Sequence, residues 1–231
     1  MGRMNNLGLY LAFLIPPMII GFVIQHRLKQ TVAKQMQVAV ANGMSGEQVA
    51  RMILDHNGLS EVPVNQAPGG PLSDHYDPRH KTVNLSQGVY DGHAVASVAI
   101  AAHEVGHAIQ HAKAYGPFKI RSAIFPAVAF ASNAWMFLLL IGVLANITGL
   151  ATLAVLLFAV VVVFQLVTLP VEFDASKRAK EQLNKLGLVS AGEAKGASQV
   201  LSAAAMTYVA AALAALSQLA YYALIFLGNR N

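Results

Sequence analysis

The sequence predicts a mainly α fold, a four-span helical membrane protein with a small cytoplasmic α+β domain. Of its 231 residues, 55% are hydrophobic and 12% are charged, whereas soluble domains carry roughly 25% charged residues. Four apolar runs account for the mean hydropathy of +0.50. Each is long enough to cross a hydrocarbon core of about 30 Å, and they lie near residues 7–24, 123–145, 149–170 and 200–227.

The first apolar run is interpreted as a retained anchor. Gln25-His26-Arg27 follows it where a secretory signal would carry a small-residue cleavage site. Pro16-Pro17 predicts a kink within this span.

The distribution of charge predicts the orientation in the membrane. Arg3 precedes the first run and Arg230 follows the last, while the other fourteen Lys and Arg residues lie in segments 25–122 and 171–199. By the positive-inside rule, both segments face the cytoplasm and both termini face outward. The net charge of +5 therefore reflects topology and anionic lipid rather than nucleic acid.

Segment 25–122 is expected to fold as a small domain. The first helix can continue over residues 27–41, and Ser45 with Gln48 forms a capping box for a short helix that stops at Gly58. Two strands and one longer helix follow, at Glu61–Val64, Lys81–Leu85 and His93–Ala112.

Segment 171–199 is expected to hold a polar surface helix that ends at Gly187 and a second short helix from about Ala191. The predicted organisation is an anchor, a cytoplasmic domain, a transmembrane hairpin, a cytoplasmic segment and a last span with the C-terminus: residues 1–24, 25–122, 123–170, 171–199 and 200–231.

An HExxH motif, formed by His103, Glu104 and His107, indicates a zinc site. Two histidines four residues apart lie on one face of a helix, where one tetrahedral Zn²⁺ can accept both imidazoles. Glu104 is then placed to accept a proton from the attacking water. The alternative is a pair of core histidines with a buried carboxylate, which is costly on an apolar helix without a metal. The absence of cysteine excludes thiolate ligands.

A catalytic zinc needs a third protein ligand. The metzincin pattern is excluded because Gln110 and Lys113 occupy its glycine and histidine positions. His111 is a weaker candidate, since three turns of one helix spread ligands over about 12 Å. Glu172, after the third span, is the better candidate. Asp174 is an alternative ligand or a group that holds an imidazole N–H.

Four stretches together resemble the YugP-type family of neutral zinc metallopeptidases of bacterial membranes: His75-Tyr76-Asp77-Pro78, Ala101–Ala108, Arg121 and Pro170–Ser176. The resemblance implies zinc bound by His103, His107 and Glu172, with Glu104 as the base. It also implies a protein of bacterial membranes. Together with the charge distribution, this predicts a multi-pass protein of the bacterial inner membrane with a gluzincin-like domain whose active site faces the cytoplasm.

A looser similarity extends to HtpX-like and prenyl-protein-processing membrane proteases. Those proteins carry an aspartate four residues after the ligand glutamate. Ser176 occupies that place here and the nearby acid is Asp174. Which of the two residues holds an imidazole N–H therefore stays open, whereas the assignment of Glu172 as a ligand is unaffected.

Other site residues are less certain from the sequence. An oxyanion formed at the scissile carbonyl needs a cationic or phenolic partner, and the candidates are His75, Tyr76, Arg79, His80 and Arg178. Tyr76 is equally suited to the domain core. The strand Lys81–Leu85 could pair with an extended peptide at its edge, or only cover the active-site helix.

The leading hypothesis is an integral-membrane zinc endopeptidase acting on polypeptides, including membrane proteins, in membrane-protein quality control. A homo-oligomer or another membrane-protein partner is compatible with it. The alternatives are a site-2-type intramembrane protease, and a non-cleaving chaperone or adaptor with a structural zinc. A transporter is disfavoured, since no span carries an ionisable residue deep within it.

Overall fold

The computed structural model describes residues 2–71 and 73–226, with side chains described from residue 7 onward. Seven helices are present in this part of the chain: α1 Gly2–Gln35, α2 Gly46–His56, α3 Gln87–Tyr90, α4 Val95–Ala112, α5 Gly116–Leu144, α6 Thr148–Lys185 and α7 Ala191–Phe226. Three short strands complete it: β1 Val64–Gln66, β2 His75–Asp77 and β3 Thr82–Leu85. The prediction of a mainly helical protein is confirmed.

Four of these helices, α1, α5, α6 and α7, are long and apolar enough to cross a membrane. The prediction of four candidate spans is therefore confirmed. The helices extend beyond the predicted apolar runs, because polar helix-forming residues continue them. The end of the predicted fourth run, residue 227, and residues 228–231 lie outside the described part of the chain.

Proline does not end the long helices. α6 runs through Pro170 to Lys185 without a break, so the polar surface helix predicted after Pro170 is the last part of α6. Gly187, with a φ of 64°, follows its end as predicted. The short helix predicted from Ala191 is likewise continuous with the last span, as α7.

The chain divides into two compact units. The first, called the apolar unit, comprises Met1–Gln25, Ile120–Leu169 and Thr207–Asn231. Within it α5 and α6 approach closely, because a Cβ at Gly142 would lie 2.6 Å from the backbone nitrogen of Ala151. A hydrophobic cluster surrounds this contact and includes Leu139, Ala151 and Ala154.

A polar contact within the apolar unit involves Pro17 of α1. Proline has no N–H, so Pro17 leaves the carbonyl of Phe13, four residues earlier, without its helical donor. The hydroxyl of Ser217 on α7 donates to that carbonyl over 2.6 Å. Such partners are what make proline tolerable in an apolar helix.

The second unit, called the site unit, comprises His26–Lys119 and Pro170–Met206, and α4 is its central helix. Fourteen of the eighteen residues of α4 are buried, and their neighbours in the core come from α2, the strands and the ends of α6 and α7. The capping box of α2 forms as predicted: the Gln48 N–H meets Ser45 Oγ, and the Gln48 side chain meets the Ser45 N–H. Gly58 follows α2 with a φ of 70°.

The strands form one sheet in the order β1-β3-β2, with β1 parallel and β2 antiparallel to β3. The predicted strand at 81–85 corresponds to β3. The strand predicted at 61–64 lies further along the chain, at 64–66, and β2 was not predicted. Because β3 has a partner on each side, the expectation that it offers a free edge to a peptide is wrong. Its second interpretation, a cover for the active-site helix, is compatible with the packing of β3 against α4.

Candidate metal centre

The HExxH histidines lie on α4 where α6 crosses it. A Cβ at Gly106 would lie 2.6 Å from the carbonyl oxygen of Ala175, so only glycine permits the two backbones to come this close. Ala175 is fully buried. The contact brings one turn of α6, which begins with Glu172, against the turn of α4 that carries His103 and His107.

His103, His107 and Glu172 form a compact group. The Nε2 atom of His103 lies 3.2 Å from Glu172 Oε2, and the Nε2 atom of His107 lies 3.6 Å from the same oxygen. The rings of the two histidines are nearly perpendicular, with centroids 4.8 Å apart. One ligand atom from each residue lies within 4.8 Å of the others, so the three side chains could hold one metal ion.

The donor set and spacing of this group fit zinc. Zinc prefers imidazole nitrogen and carboxylate oxygen at about 2.0–2.2 Å in a tetrahedron, whose edges are then about 3.4 Å. The two nitrogen–oxygen separations lie close to that edge length. The Glu172 side chain is 2% exposed, and a carboxylate so buried requires a compensating charge. The three side chains therefore have the donor atoms and spacing that a zinc ion would need.

Each imidazole is also held at its other nitrogen. His103 Nδ1 lies 3.2 Å from the hydroxyl oxygen of Ser176, and His107 Nδ1 lies 3.0 Å from Oε1 of Gln110. Ser176 thus occupies the position where the loosely similar proteases have an aspartate, and it contacts an imidazole there. Contacts at the remote nitrogen orient a metal-binding imidazole and set its tautomer.

Asp174 lies in the outer network rather than in the group of three. Its carboxylate accepts a hydrogen bond from Gln110 Nε2 at 2.8 Å and forms an ion pair with Arg178, whose Nε lies at 2.5 Å. It therefore reaches His107 through the Gln110 amide and not directly. The Arg178 guanidinium also lies over the ring of Tyr115, 5.8 Å from its centroid.

Glu104 is buried beside the group of three, with 8% of the residue exposed. Burial raises the pKa of its carboxyl to about 7, assisted by the negative charges of Glu172 and Asp74 and opposed by His103 and the backbone N–H of Tyr76. A cation held by the three ligands would lower this pKa again, because the charge of an ion dominates its surroundings. The carboxyl is thus placed in a site where its protonation responds to metal and to pH.

His111 is not a member of the group. Its Nδ1 atom lies 2.9 Å from the hydroxyl oxygen of Tyr76, and burial together with Lys81 lowers its pKa. Burial raises the pKa of Tyr76 to about 12, so the phenol keeps its proton. Phe118 packs against Tyr76, His107 and His111, and this aromatic group supports one side of the motif helix.

The remaining oxyanion candidates are placed differently. His75 is exposed, with Nδ1 2.8 Å from the Ser73 carbonyl. His80 is exposed and paired with Asp77, whose pKa this hydrogen bond lowers to about 2. Arg79 is also exposed. The choice of oxyanion partner stays a prediction.

The contact between Gln110 and His107 Nδ1 was not predicted from the sequence, where Gln110 was used only to exclude the metzincin pattern. A signal was available, because Gln110 lies three residues after His107 on the same face of α4. Its complete burial could not be read from the sequence.

Two imidazoles of an HExxH motif and one glutamate, in a helical protein with four candidate membrane spans, are features typical of membrane zinc peptidases. Residues 10–227 match the family described as "Putative neutral zinc metallopeptidase". The chain is 44% identical over 223 residues to the "Putative membrane protease YugP" of Bacillus subtilis (strain 168), covering 96% of this chain and 99% of that protein. No solved structure matches.

The chain therefore belongs to this neutral zinc metallopeptidase family, and the YugP-like resemblance is confirmed by both comparisons.

Proposed function

We propose that the protein is an integral-membrane zinc endopeptidase that hydrolyses peptide bonds at the cytoplasmic face of a bacterial cell membrane. The observation that carries the proposal is the group of His103, His107 and Glu172 with Glu104 buried beside it. The protease name of the relative from Bacillus subtilis supports a polypeptide substrate, and the four apolar helices favour membrane proteins among such substrates.

His103, His107 and Glu172 are the proposed metal ligands. A zinc ion held by them would polarise both a water molecule and the scissile carbonyl. The site holds the imidazoles with their Nε2 atoms towards Glu172 Oε2, and Ser176 and Gln110 hold the opposite nitrogens. These contacts orient both imidazoles, which reduces the cost of ordering them on metal binding.

Glu104 is the proposed general base and then general acid. Its carboxylate accepts a proton from the water whose oxygen adds to the carbonyl carbon. It then gives this proton to the amide nitrogen, and the carbon–nitrogen bond breaks to leave an amine and a carboxylic acid, which releases the second proton of the water to the amine or the solvent and becomes a carboxylate. Its burial limits competition from bulk water for the proton.

The cytoplasmic location rests on the charge distribution of the sequence. Single cysteines in this cysteine-free chain test it with a membrane-impermeant thiol reagent on intact cells. We expect Ile147→Cys, in the turn between α5 and α6, to be labelled, and Lys180→Cys to be labelled only after lysis. Labelling of Lys180→Cys in intact cells, with Ile147→Cys labelled only after lysis, would show the opposite orientation in the membrane.

The alternatives from the sequence are less well supported. Structural zinc sites are closed by four protein ligands, whereas the group in the described residues has three and a neighbouring carboxyl suited to proton transfer. A chaperone or adaptor has no use for Glu104. For a site-2-type protease, the motif helix itself should cross the bilayer, and α4 is not one of the four candidate spans.

The variant Glu104→Gln tests the proposal in the purified full-length protein. We expect zinc content to stay at the wild-type level, while cleavage, followed by mass spectrometry of new peptide termini, falls by about 10²–10⁴-fold. The exposed Glu181, which pairs with Lys177, supplies the matched control Glu181→Gln, for which cleavage should be unchanged. Unaltered cleavage by Glu104→Gln would rule out the mechanism.

A further inference from the structure

Gln110 is the largest uncharged polar side chain that is completely buried in the core of the site unit, at 0% exposure. Its amide makes three hydrogen bonds. The Nε2 group donates to the carbonyl of Val171 at 2.7 Å and to Oδ2 of Asp174 at 2.8 Å, and Oε1 lies 3.0 Å from His107 Nδ1. The side chain therefore joins the motif helix α4 to the turn of α6 that carries Glu172.

The direction of these bonds is determined by the partners on α6. A glutamine amide has two N–H donors on nitrogen and an acceptor oxygen. The Val171 carbonyl can only accept, and the Asp174 carboxylate, in its ion pair with Arg178, also accepts. A flipped amide would direct its oxygen at two acceptor oxygens, with which it cannot form a hydrogen bond. The nitrogen must therefore face α6, and Oε1 must face His107.

This arrangement selects one tautomer of His107. Because Gln110 Oε1 can only accept, the His107 Nδ1 atom must carry the proton and donate it. A neutral imidazole protonated at Nδ1 has its lone pair at Nε2. Nε2 is the atom that lies 3.6 Å from Glu172 Oε2, in the group suited to metal. The amide thus keeps the lone pair on the nitrogen that a metal needs.

The Nδ1 atom of the other histidine has no such constraint. His103 Nδ1 meets the Ser176 hydroxyl, and a hydroxyl can both donate and accept. Either tautomer of His103 can satisfy that contact. The two ligands therefore differ in how completely their surroundings prepare them.

We propose that Gln110 is a positioning residue for the metal site: it holds His107 as the Nδ1–H tautomer and ties its ring to α6 at the level of Glu172. The inference rests on the proposed zinc function of the same site. Gln110 does not touch substrate or transfer a proton. It acts through His107, and Asp174 acts through Gln110.

The direct test is nitrogen-15 NMR of the full-length, metal-free protein labelled at histidine, in detergent micelles. The His107 signals are assigned from their loss in His107→Ala. We expect the proton on Nδ1 in the wild type and a mixture of tautomers in Gln110→Met, which retains side-chain length but has no amide. The spectra are recorded at a pH where the imidazole is neutral, and a wild-type His107 protonated on Nε2 instead of Nδ1 would overturn the inference whether or not any variant folds.

Zinc affinity, measured by competition with a chromophoric chelator, is the second readout. We expect Gln110→Met to bind zinc about 10–100-fold more weakly. The control Gln182→Met removes an amide that also bonds between elements, to Asn57, and should leave affinity unchanged. Wild-type affinity in Gln110→Met, or weaker binding with the tautomer unchanged, would overturn the inference. A wild type that binds zinc but cleaves nothing would instead refute the proposed function, with the role of Gln110 intact.

Discussion

The apolar unit and the site unit each contain polar side chains that bond between helices, but these bonds have different purposes. In the apolar unit, Ser217 donates to the Phe13 carbonyl, a backbone group that Pro17 leaves without its helical donor. In the site unit, Gln110 and Ser176 contact the Nδ1 atoms of His107 and His103, whose Nε2 atoms face Glu172. The contact of Ser217 thus satisfies a backbone group, whereas the contacts of Gln110 and Ser176 orient the imidazoles of the proposed metal site.

The two units nevertheless share one packing device, a glycine at a helix crossing. Gly106 lies against Ala175 in the site unit, and Gly142 lies against Ala151 in the apolar unit, each with a backbone atom 2.6 Å from where a Cβ would stand. The same substitution at the two positions therefore separates what close packing contributes to stability from what it contributes to the metal site.

Gly106→Ala should have the largest effect. Alanine favours a helix over glycine by about 1 kcal/mol, but overpacking against backbone that cannot move aside costs about 1–3 kcal/mol. The crossing must open, and Glu172 moves away from the histidines. We expect zinc affinity to fall by at least about tenfold, since orienting contacts at metal ligands carry effects of this size, and the loss should show in chelator competition.

Gly192 provides the control for this substitution, because it is a helical glycine with nothing within 4 Å of the position that a Cβ would take. Gly192→Ala should retain wild-type zinc affinity and a thermal unfolding midpoint at or slightly above the wild-type value. If Gly106→Ala also retained full affinity, the crossing would not be what assembles the three ligands.

Gly142→Ala should have a smaller effect and a different one. The clash with Ala151 is of similar size, so we expect the thermal unfolding midpoint in detergent to fall. Zinc affinity of the folded protein should stay within about threefold of the wild type, since Gly142 belongs to the apolar unit and orienting contacts change affinity by about 10–100-fold. A larger loss of affinity would show that the two units do not behave independently.

Much of the fold was predictable because the signals are local. Composition and run length predict the four apolar helices, and the Ser45–Gln48 capping box predicts the start of α2. The two histidines of HExxH lie on one face by helix geometry alone. The prediction of a separate helix after Pro170 was wrong. A proline usually ends a helix, but α6 continues through it.

The long-range features were not predictable from spacing. Glu172 lies 69 residues after His103, and its approach depends on a helix crossing that no local pattern encodes. Its place after the third span made it the better candidate, and the family resemblance then supported that choice. Strand β2 has three residues, too few for a periodic signal. Strand β3 pairs parallel with β1 and antiparallel with β2. Because β2 was not predicted, the central position of β3 in the sheet could not be deduced either.

Ser217→Ala should have the smallest effect of these substitutions. It leaves the Phe13 carbonyl without the donor that replaces the missing Pro17 N–H. Polar contacts between helices in apolar surroundings contribute about 0.6 kcal/mol on average, so we expect a loss of stability near that value and unchanged zinc affinity.

A double-mutant cycle with Pro17→Ala attributes this loss to the carbonyl. Alanine at position 17 restores an N–H that can bond to Phe13 within α1, so the Ser217 hydroxyl is no longer needed there. Ser217→Ala should then cost less in the Pro17→Ala background than in the wild type. Equal costs in both backgrounds would mean that Ser217 contributes through packing. The Ser217 hydroxyl would then not serve to satisfy the Phe13 carbonyl, and the proposed difference between polar contacts in the apolar unit and in the site unit would be contradicted.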